Sequence, residues 1–496
     1  MTETLPQALA RQARERPDQV ALTWADGSVW SSLTYAELGR DVACRATALR
    51  DEGVEPGTRA LVVIPPGPAF YLRILALLHA GATVVLADPG SGWGAFLDGV
   101  AHVKPRALVG IWPARAASWL VPSLGTVRVR CDPEPAAEPS PVHAGDPGDT
   151  ALIVFTTGST GAPKPVPWSH AMMAAQVRAG AAAWGAQPGD VEVPCFSLMA
   201  LLSLAHGLTV ALPDSNLSRP ARADVAAIAD AVVHHGAQQL AGSPGVLGPL
   251  ARHCQAQGLT LPTLDRVLAF GAPVLPDLHA RWAELLRPDA QLISAYGVTE
   301  GLPLLGIGSH QVLGETAART LQGAGICLGR PLPATHARVH DGELLVRGPQ
   351  VSQGYVDHPA HDAAHKVALN GHVWHRTGDG AQVDDQGRIW GTGRLRHRLS
   401  VGQVHVDPLT LEVLLTMDPS VRRCAVIPDG PDALVALCEA EPGHALDADR
   451  LRALLHPHPH GALVRRVVAH PGLPLDTRHA AKIKRGELRA PRSGAS

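Results

Sequence analysis

The order of apolar runs constrains this chain most. Residues 59–65 read as a short buried strand, 69–79 as a helix ending at Ala80-Gly81-Ala82, and 83–87 as a second strand. The pattern returns as helix 224–235, strand 238–240, helix 245–258, strand 266–270, helix 275–286 and strand 291–294. Strand–helix–strand repeats at this spacing are βαβ units and predict a parallel sheet with helices on its faces. Gly, Ser and Thr gather at the C-terminal strand ends, as in Gly242-Ser243-Pro244, Gly271-Ala272-Pro273 and Tyr296-Gly297-Val298-Thr299-Glu300. Open α/β sheets bind ligands there. Thr34 with Glu37 three residues later predicts a capping-box helix over 34–52.

Beyond Gly325 the texture changes to short alternating strands, at 337–339, 343–346, 373–375, 382–384 and 388–392. This predicts a β-rich or small-barrel appendage. From about Arg394 a last unit mixes a helix (409–417) with strands (424–427 and 433–438). Residues 133–147, rich in Pro, Ala, Glu and Gly, read as a surface linker, and the alternating prolines make His456–His460 a surface loop. At 496 residues the chain exceeds one small core, and two units are expected, 1–393 and 394–496.

A net charge of −2 with 18% charged residues gives no nucleic-acid footprint. Seven scattered cysteines without a C-x-x-C suit reduced thiols rather than a disulfide framework or zinc site. The N-terminus carries an early acid and no apolar h-region, so a cytoplasmic protein without a signal peptide is expected. Residues 194–213 run without a formal charge for the length of a membrane span, yet Cys195, His206, Gly207 and flanking prolines favour a buried pocket wall. No membrane partner is expected.

One loop stands out. Thr156-Thr157-Gly158-Ser159-Thr160-Gly161-Ala162-Pro163-Lys164 follows a buried strand over 151–155 and precedes a helix-like segment from Ser169. Hydroxyls, approachable backbone N–H groups and one ammonium are the parts of a phosphate cradle. It is not a Walker A loop, because Pro165 follows Lys164. Taken alone it reads equally as a polar strand-to-helix turn. Five lysines stand against 38 arginines, and one of the five is in this loop, with a pair at Lys482 and Lys484. An ammonium is a point charge and a guanidinium a planar fork, so sparing lysine use marks these positions for specific work.

Four patches then align: this loop, Tyr296–Glu300, His375-Arg376-Thr377-Gly378-Asp379 with Gly393-Arg394, and Ala481-Lys482-Ile483-Lys484-Arg485. In this order and at these separations the chain resembles the adenylate-forming superfamily of acyl-CoA synthetases, carrier-loading adenylation domains and luciferases. Leu33–Leu38, Gly342-Glu343-Leu344 and Gly354-Tyr355 extend the likeness over essentially the whole chain. Within that superfamily it is most similar to the β-lactone synthetases that act on β-hydroxy acids. That likeness rests on Ala295-Tyr296-Gly297-Val298-Thr299-Glu300-Gly301-Leu302-Pro303, on Leu313-Gly314-Glu315-Thr316, on 323–331, on Gly242-Ser243-Pro244 and on Gly393–Arg398.

The resemblance implies an α/β fold: a large N-terminal domain of parallel-rich sheets layered with helices, a small β-barrel-like subdomain, and a small mobile α+β C-terminal domain. It implies ATP and Mg²⁺ as cofactors. Lys164 and the hydroxyls of Thr156, Thr157, Ser159 and Thr160, with Gly158 and Gly161, would hold the β- and γ-phosphates. Gly271, Ala272, Pro273 and Tyr296, with Gly297 and Thr299, would frame adenine. Asp379 would accept from the ribose hydroxyls, Arg394 would reach the ribose–phosphate region, and Glu300 would ligate Mg²⁺. Lys482 would sit between the substrate carboxylate and the α-phosphate, where charge grows as the acyl-adenylate forms.

In the β-lactone synthetases the substrate's own β-hydroxyl then attacks the adenylate, a tethered reaction that needs no thiol. Arg396 and His397 stand where most of the superfamily has a hinge Asp, and the Lys usual beyond it is replaced near Ser400. The domain rotation that admits a thiol is therefore absent or changed in this reading. The rival from the same superfamily is an acyl-CoA or carrier-protein ligase, with coenzyme A or a carrier protein as partner. A non-catalytic nucleotide binder is disfavoured because Lys164, Glu300, Asp379 and Lys482 are all present. A serine hydrolase is disfavoured because Ala241 replaces the first Gly of G-x-S-x-G around Ser243. Phe196, Met199, His206, Gly242 and Ser243 are the expected substrate pocket, and small polar residues in 196–203 suggest a short, branched or functionalised acid.

Overall fold

A computed structural model describes residues 3–27, 29–87, 92–156, 163–217, 222–475 and 482–490. Thr157, Gly158, Ser159, Thr160 and Gly161, the centre of the polar loop, lie outside the described residues.

Two sheets carry the large unit. In the first, Val129–Cys131, Ala107–Gly110, Arg59–Val63, Thr83–Leu86 and Thr150–Phe155 run parallel in that order. The helix Pro68–His79 makes the expected crossover between Arg59–Val63 and Thr83–Leu86. Pro165–Ser169 closes the edge antiparallel to Thr150–Phe155. The described residues on either side of the polar loop are therefore paired strands, and a strand rather than a helix follows Lys164. Phe155 pairs with Pro165 and Ile153 with Pro167. Proline has no N–H to give an inner neighbour, so such a strand belongs at an edge. The helix His170–Trp184 follows at once, its end capped by Ser169 Oγ accepting from the Met172 N–H at 3.1 Å.

The second sheet has fourteen strands among the described residues. Val20–Asp26, Thr209–Leu212, Val191–Pro194, Gln239–Gly242, Arg266–Ala269 and Gln291–Val298 are parallel neighbours. Two expectations change here. The last strand does not end at Ser294 but runs through Tyr296 to Val298, then reverses into the antiparallel Gly301–Gly308. The reversal is tight: a Cβ on Gly297 would lie 2.7 Å from Leu302 Cβ. The strands expected over 373–375 and 382–384 are a single one, His372–Val383, paired with Glu343–Arg347 and Ile389–Arg394. Long continuous pairing on both sides outweighs the Gly378 interruption that makes the sequence look like two pieces. Through Ile326–Pro331 these antiparallel strands join the parallel ones, so the β-rich subdomain continues the large sheet.

One apolar core gathers Leu22 of the second sheet, Val84 and Val154 of the first, and Ile74 and Leu75 of the helix Pro68–His79. That shared core locks the two sheets to each other. A second, around Trp282, packs helices Val225–His235, Pro244–Gln257 and Pro276–Leu285 on the parallel strands. After Arg394, Val421–Pro428, Leu434–Ala440 and Val464–Ala469 form a separate three-stranded sheet covered by helix Pro408–Thr416. Its apolar clusters draw only on residues 399–490.

The 133–147 segment has no helix or strand and lies over helix Tyr35–Asp51, where Thr47 Oγ1 donates to the Glu138 carbonyl at 2.9 Å. All seven cysteines are buried thiols. The charge-free stretch at 194–213 divides into helix Ser197–His206 and strand Thr209–Leu212, and no helix among the described residues is long and apolar enough to cross a membrane. The histidine tract is not wholly a surface loop: His458 is buried, its Nε2 2.9 Å from Thr410 Oγ1. The expected capping box is present, with the Glu37 N–H donating to Thr34 Oγ1 at 3.2 Å and the Thr34 N–H to Glu37 Oε2 at 2.8 Å. Thr34→Ala is expected to lower the free energy of unfolding by about 1 kcal/mol in a denaturant titration, with catalytic turnover unchanged.

Candidate active site

The C-terminal ends of the parallel strands, the first-sheet hairpin and the C-terminal unit open onto one cleft of about 2700 Å³. Lys164, Thr156, Gly271, Ala272, Pro273, Tyr296, Gly297, Thr299, Glu300, Asp379, Arg394 and Lys482 all line it. Residues from positions more than three hundred apart in the chain thus share one wall. Gly242 and Ser243 do not line it: Gly242 backs onto Cys195, and Pro244 and Gly245 take their place at the surface of the cleft.

The hairpin holds its own ends. The Thr156 N–H donates to the Lys164 carbonyl at 3.1 Å, and the Lys164 N–H to Thr156 Oγ1 at 3.2 Å. The Lys164 ammonium donates to His365 Nε2 at 2.6 Å. Burial pushes the Lys164 pKa down, with Glu300 opposing, and burial together with the Lys164 charge pushes His365 down.

Glu300 stands in the reversal between Gln291–Val298 and Gly301–Gly308 and is only 8% exposed. Burial works against its ionisation. The neighbouring His375 ring, the Tyr355 hydroxyl and Lys366 more than offset this, so the carboxyl lies below its ordinary range. Tyr355 Oη donates to Oε1 at 2.5 Å, and His375 Nε2 is 3.8 Å from Oε2. Burial pushes His375 down to about 3 and Lys366 down to about 8. Lys366 donates to the Ser352 carbonyl.

A second network lies on the sheet extension. Asp379 and Arg394 face each other across the antiparallel pair of His372–Val383 and Ile389–Arg394. Arg394 Nε is 3.0 Å from Asp379 Oδ1, and Tyr296 Oη donates to Oδ2 at 2.7 Å. Arg394 also donates to the Thr377 carbonyl at 2.7 Å. Gly378, at φ 72°, makes the turn in the backbone that a side chain would strain. The carboxylate is thus fixed in place by a cation and a hydroxyl, and keeps lone pairs for further donors.

The segment around 196–206 forms another wall of the cleft. Phe196 meets Phe270 edge to face at 5.7 Å, Met199 lines the cavity, and His206 Nε2 is 2.9 Å from the Ala186 carbonyl. One ring nitrogen of His206 is thereby committed to the backbone.

Sequence reasoning named Lys164 and Glu300 but missed how they are held. Tyr355 entered only through a family likeness, and Lys366 only as one of five lysines. His365 was missed altogether. Its signal is the spacing of His358, His361 and His365, which places them along one side of helix Pro359–His365.

The model of a family described as "AMP-binding enzyme" matches residues 9–356. The chain belongs to the AMP-binding enzymes. It is an AMP-forming ligase, which activates a carboxylic acid by adenylation. Among curated relatives, this AMP-binding enzyme is 33% identical to an olefin beta-lactone synthetase from Xanthomonas campestris pv. campestris, over 97% of this chain and 96% of that one. It is 32% identical to the olefin beta-lactone synthetase of Stenotrophomonas maltophilia, with the same coverage. In fold it is similar to O-succinylbenzoate coenzyme A synthetase from Bacillus subtilis, solved with AMP, at a TM-score of 0.82 and 19% identity over 99% of each chain.

Tyr355→Phe removes a hydrogen bond that the ionised Glu300 accepts more strongly than the protonated form does. The carboxyl pKa must then rise. The acid limb of the pH profile for pyrophosphate release is expected to move to higher pH in this variant, while the alkaline limb stays in place.

Proposed function

We propose that this enzyme uses ATP to convert a β-hydroxy carboxylic acid to its acyl-adenylate, releasing pyrophosphate, and that the β-hydroxyl then closes a β-lactone and expels AMP. The observation that carries the reading is the near-complete alignment with two relatives named olefin beta-lactone synthetase. Support within the chain comes from Arg396 and His397, which occupy the segment joining the two units. Neither is acidic, so this segment lacks the acidic group usual at the superfamily's hinge. In this reading residues 1–393 bind ATP and the acid, and 394–496 cover them.

Lys164, with Thr156 and the loop hydroxyls, takes the triphosphate. Tyr296 and the strand end Gly271-Ala272-Pro273 take adenine, and Asp379 takes the ribose hydroxyls. Arg394 and Lys482 bring positive charge to the carboxylate and α-phosphate, stabilising the charge that develops between them. Glu300 fits a divalent cation: it is a hard oxygen ligand, held ionised, on the cleft wall, where Mg²⁺ takes few carboxylates and stays partly hydrated. The Bacillus subtilis synthetase has been solved with ATP and a magnesium ion. Bound there, the cation would neutralise phosphate charge. In the second step the nucleophile is part of the substrate, so the chain's task is to hold the adenylate folded and keep water out.

Mass spectrometry of reactions containing ATP, Mg²⁺ and a panel of 3-hydroxy acids, with no thiol, is expected to show AMP and a β-lactone. Turnover only on adding coenzyme A or a carrier protein would assign the chain to the thioester ligases instead. Lys482→Ala is expected to slow pyrophosphate release by about 100-fold or more, and an undiminished first step would remove Lys482 from the mechanism.

A further inference from the structure

The acyl part of the cleft contains polar atoms that the reaction does not use. Helix His170–Trp184 turns Gln176, Gly180 and Trp184 toward the cavity, one helical turn apart. Gln176 is 1% exposed, yet neither its Oε1 nor its Nε2 has a hydrogen-bond partner. Trp184 Nε1, two turns further along the same stripe, is buried and equally unpartnered. Space lies between them, because a Cβ added at Gly180 would meet nothing within 4 Å.

A buried amide without partners destabilises a fold, and leucine would fill the same place on a helix without that penalty. Native interiors pair such groups, so an unpaired amide on a residue that lines the cleft is a partner for a ligand. The surrounding surface is mostly hydrocarbon, from Val177 on the same helix and Leu198 and Leu202 on the adjacent Ser197–His206, with the hydroxyls of Ser197 and Ser203 among them. None of the positions that line the cavity from these two helices is Asp, Glu, Lys or Arg. His206, which also lines it, has its Nε2 against the Ala186 carbonyl. The ligand feature is therefore polar but uncharged, carried on an apolar chain.

Resting on the reading that this cavity holds the acyl group, we infer that the substrate is a β-hydroxy acid whose chain bears a neutral hydrogen-bonding group, an amide or a hydroxyl. Gln176 is the residue that reads it. Its side chain offers one acceptor oxygen and two N–H donors, a match for either group, and Trp184 adds a further donor. A plain hydrocarbon tail would leave these atoms unpaired. Sites built to hydrogen-bond a substrate group discriminate strongly against the analogue that lacks it.

The test is pyrophosphate release by the full chain with 3-hydroxy acids of one length that end in methyl, hydroxyl or carboxamide. The polar-ended acids are expected to exceed the methyl-ended one in kcat/KM by about 100-fold or more. Gln176→Met, nearly the same volume without the amide, is expected to reduce that ratio to within about 5-fold by slowing the polar substrates and sparing the methyl-ended one. Trp184→Phe provides a second variant, with a smaller loss of about 3–10-fold confined to the polar substrates. A methyl-ended acid used as well as its polar counterparts by the unaltered enzyme would overturn the inference, as would a preference that survives Gln176→Met. Pyrophosphate release with other carboxylic acids but with none of the 3-hydroxy acids would overturn the β-hydroxy acid reading, and this inference with it.

Discussion

A carboxylate shielded from water is stable only inside a shell of hydrogen-bond donors and positive charge. Glu300 is such a group, and its shell is assembled from distant parts of the chain. Tyr355 donates to one oxygen, and His375 of the long strand His372–Val383 approaches the other. Lys366 and Lys164 bring charge, the latter from the hairpin of the first sheet. The two sheets must therefore keep their relative positions for Lys164 and Glu300 to act on each other. The core shared by Leu22, Ile74, Val84 and Val154 holds them there.

The same economy governs the carboxylate of Asp379. Asp379 is held by register: the antiparallel pairing sets it opposite Arg394, and the unexpected extension of Gln291–Val298 brings Tyr296 Oη to its other oxygen. Had that strand ended at Ser294, Tyr296 would sit on a loop and the carboxylate would lose a fixed donor. Both networks arrange charge before any ligand arrives. Preorganised charge of this kind stabilises a transition state without reorganising as the reaction proceeds.

Much of the site was legible beforehand because its chemistry is concentrated in short motifs. Lys164 was named from its local pattern, and Glu300, Asp379, Arg394 and Lys482 from the family resemblance that the order of the motifs carries; all line one cleft. Gly242 and Ser243 were placed on its wall from their position after a strand, but the backbone there turns toward Cys195, which no local pattern reveals. His365 went unnoticed because a histidine on a short, polar helix looks like surface until its neighbour across the fold is seen to be Lys164. Gln176 was invisible for the same reason: an amide on a helix gives no sign of whether water or a cavity lies beside it.

By itself the sequence determined the alternation of strands and helices, the capping box at Thr34, the change to short strands beyond Gly325, and the residue types able to bind a nucleotide. These depend on period, spacing and side-chain chemistry, which neighbours in the chain define. The tertiary structure decided that paired strands flank the polar loop, that the late β-strands extend the large sheet, and that Glu300 and Lys164 share one shell. It also decided that Gln176 lines the cleft with its amide buried and unpaired. Those outcomes turn on hydrogen-bond register and on which surfaces exclude water, both set by residues far apart in the chain.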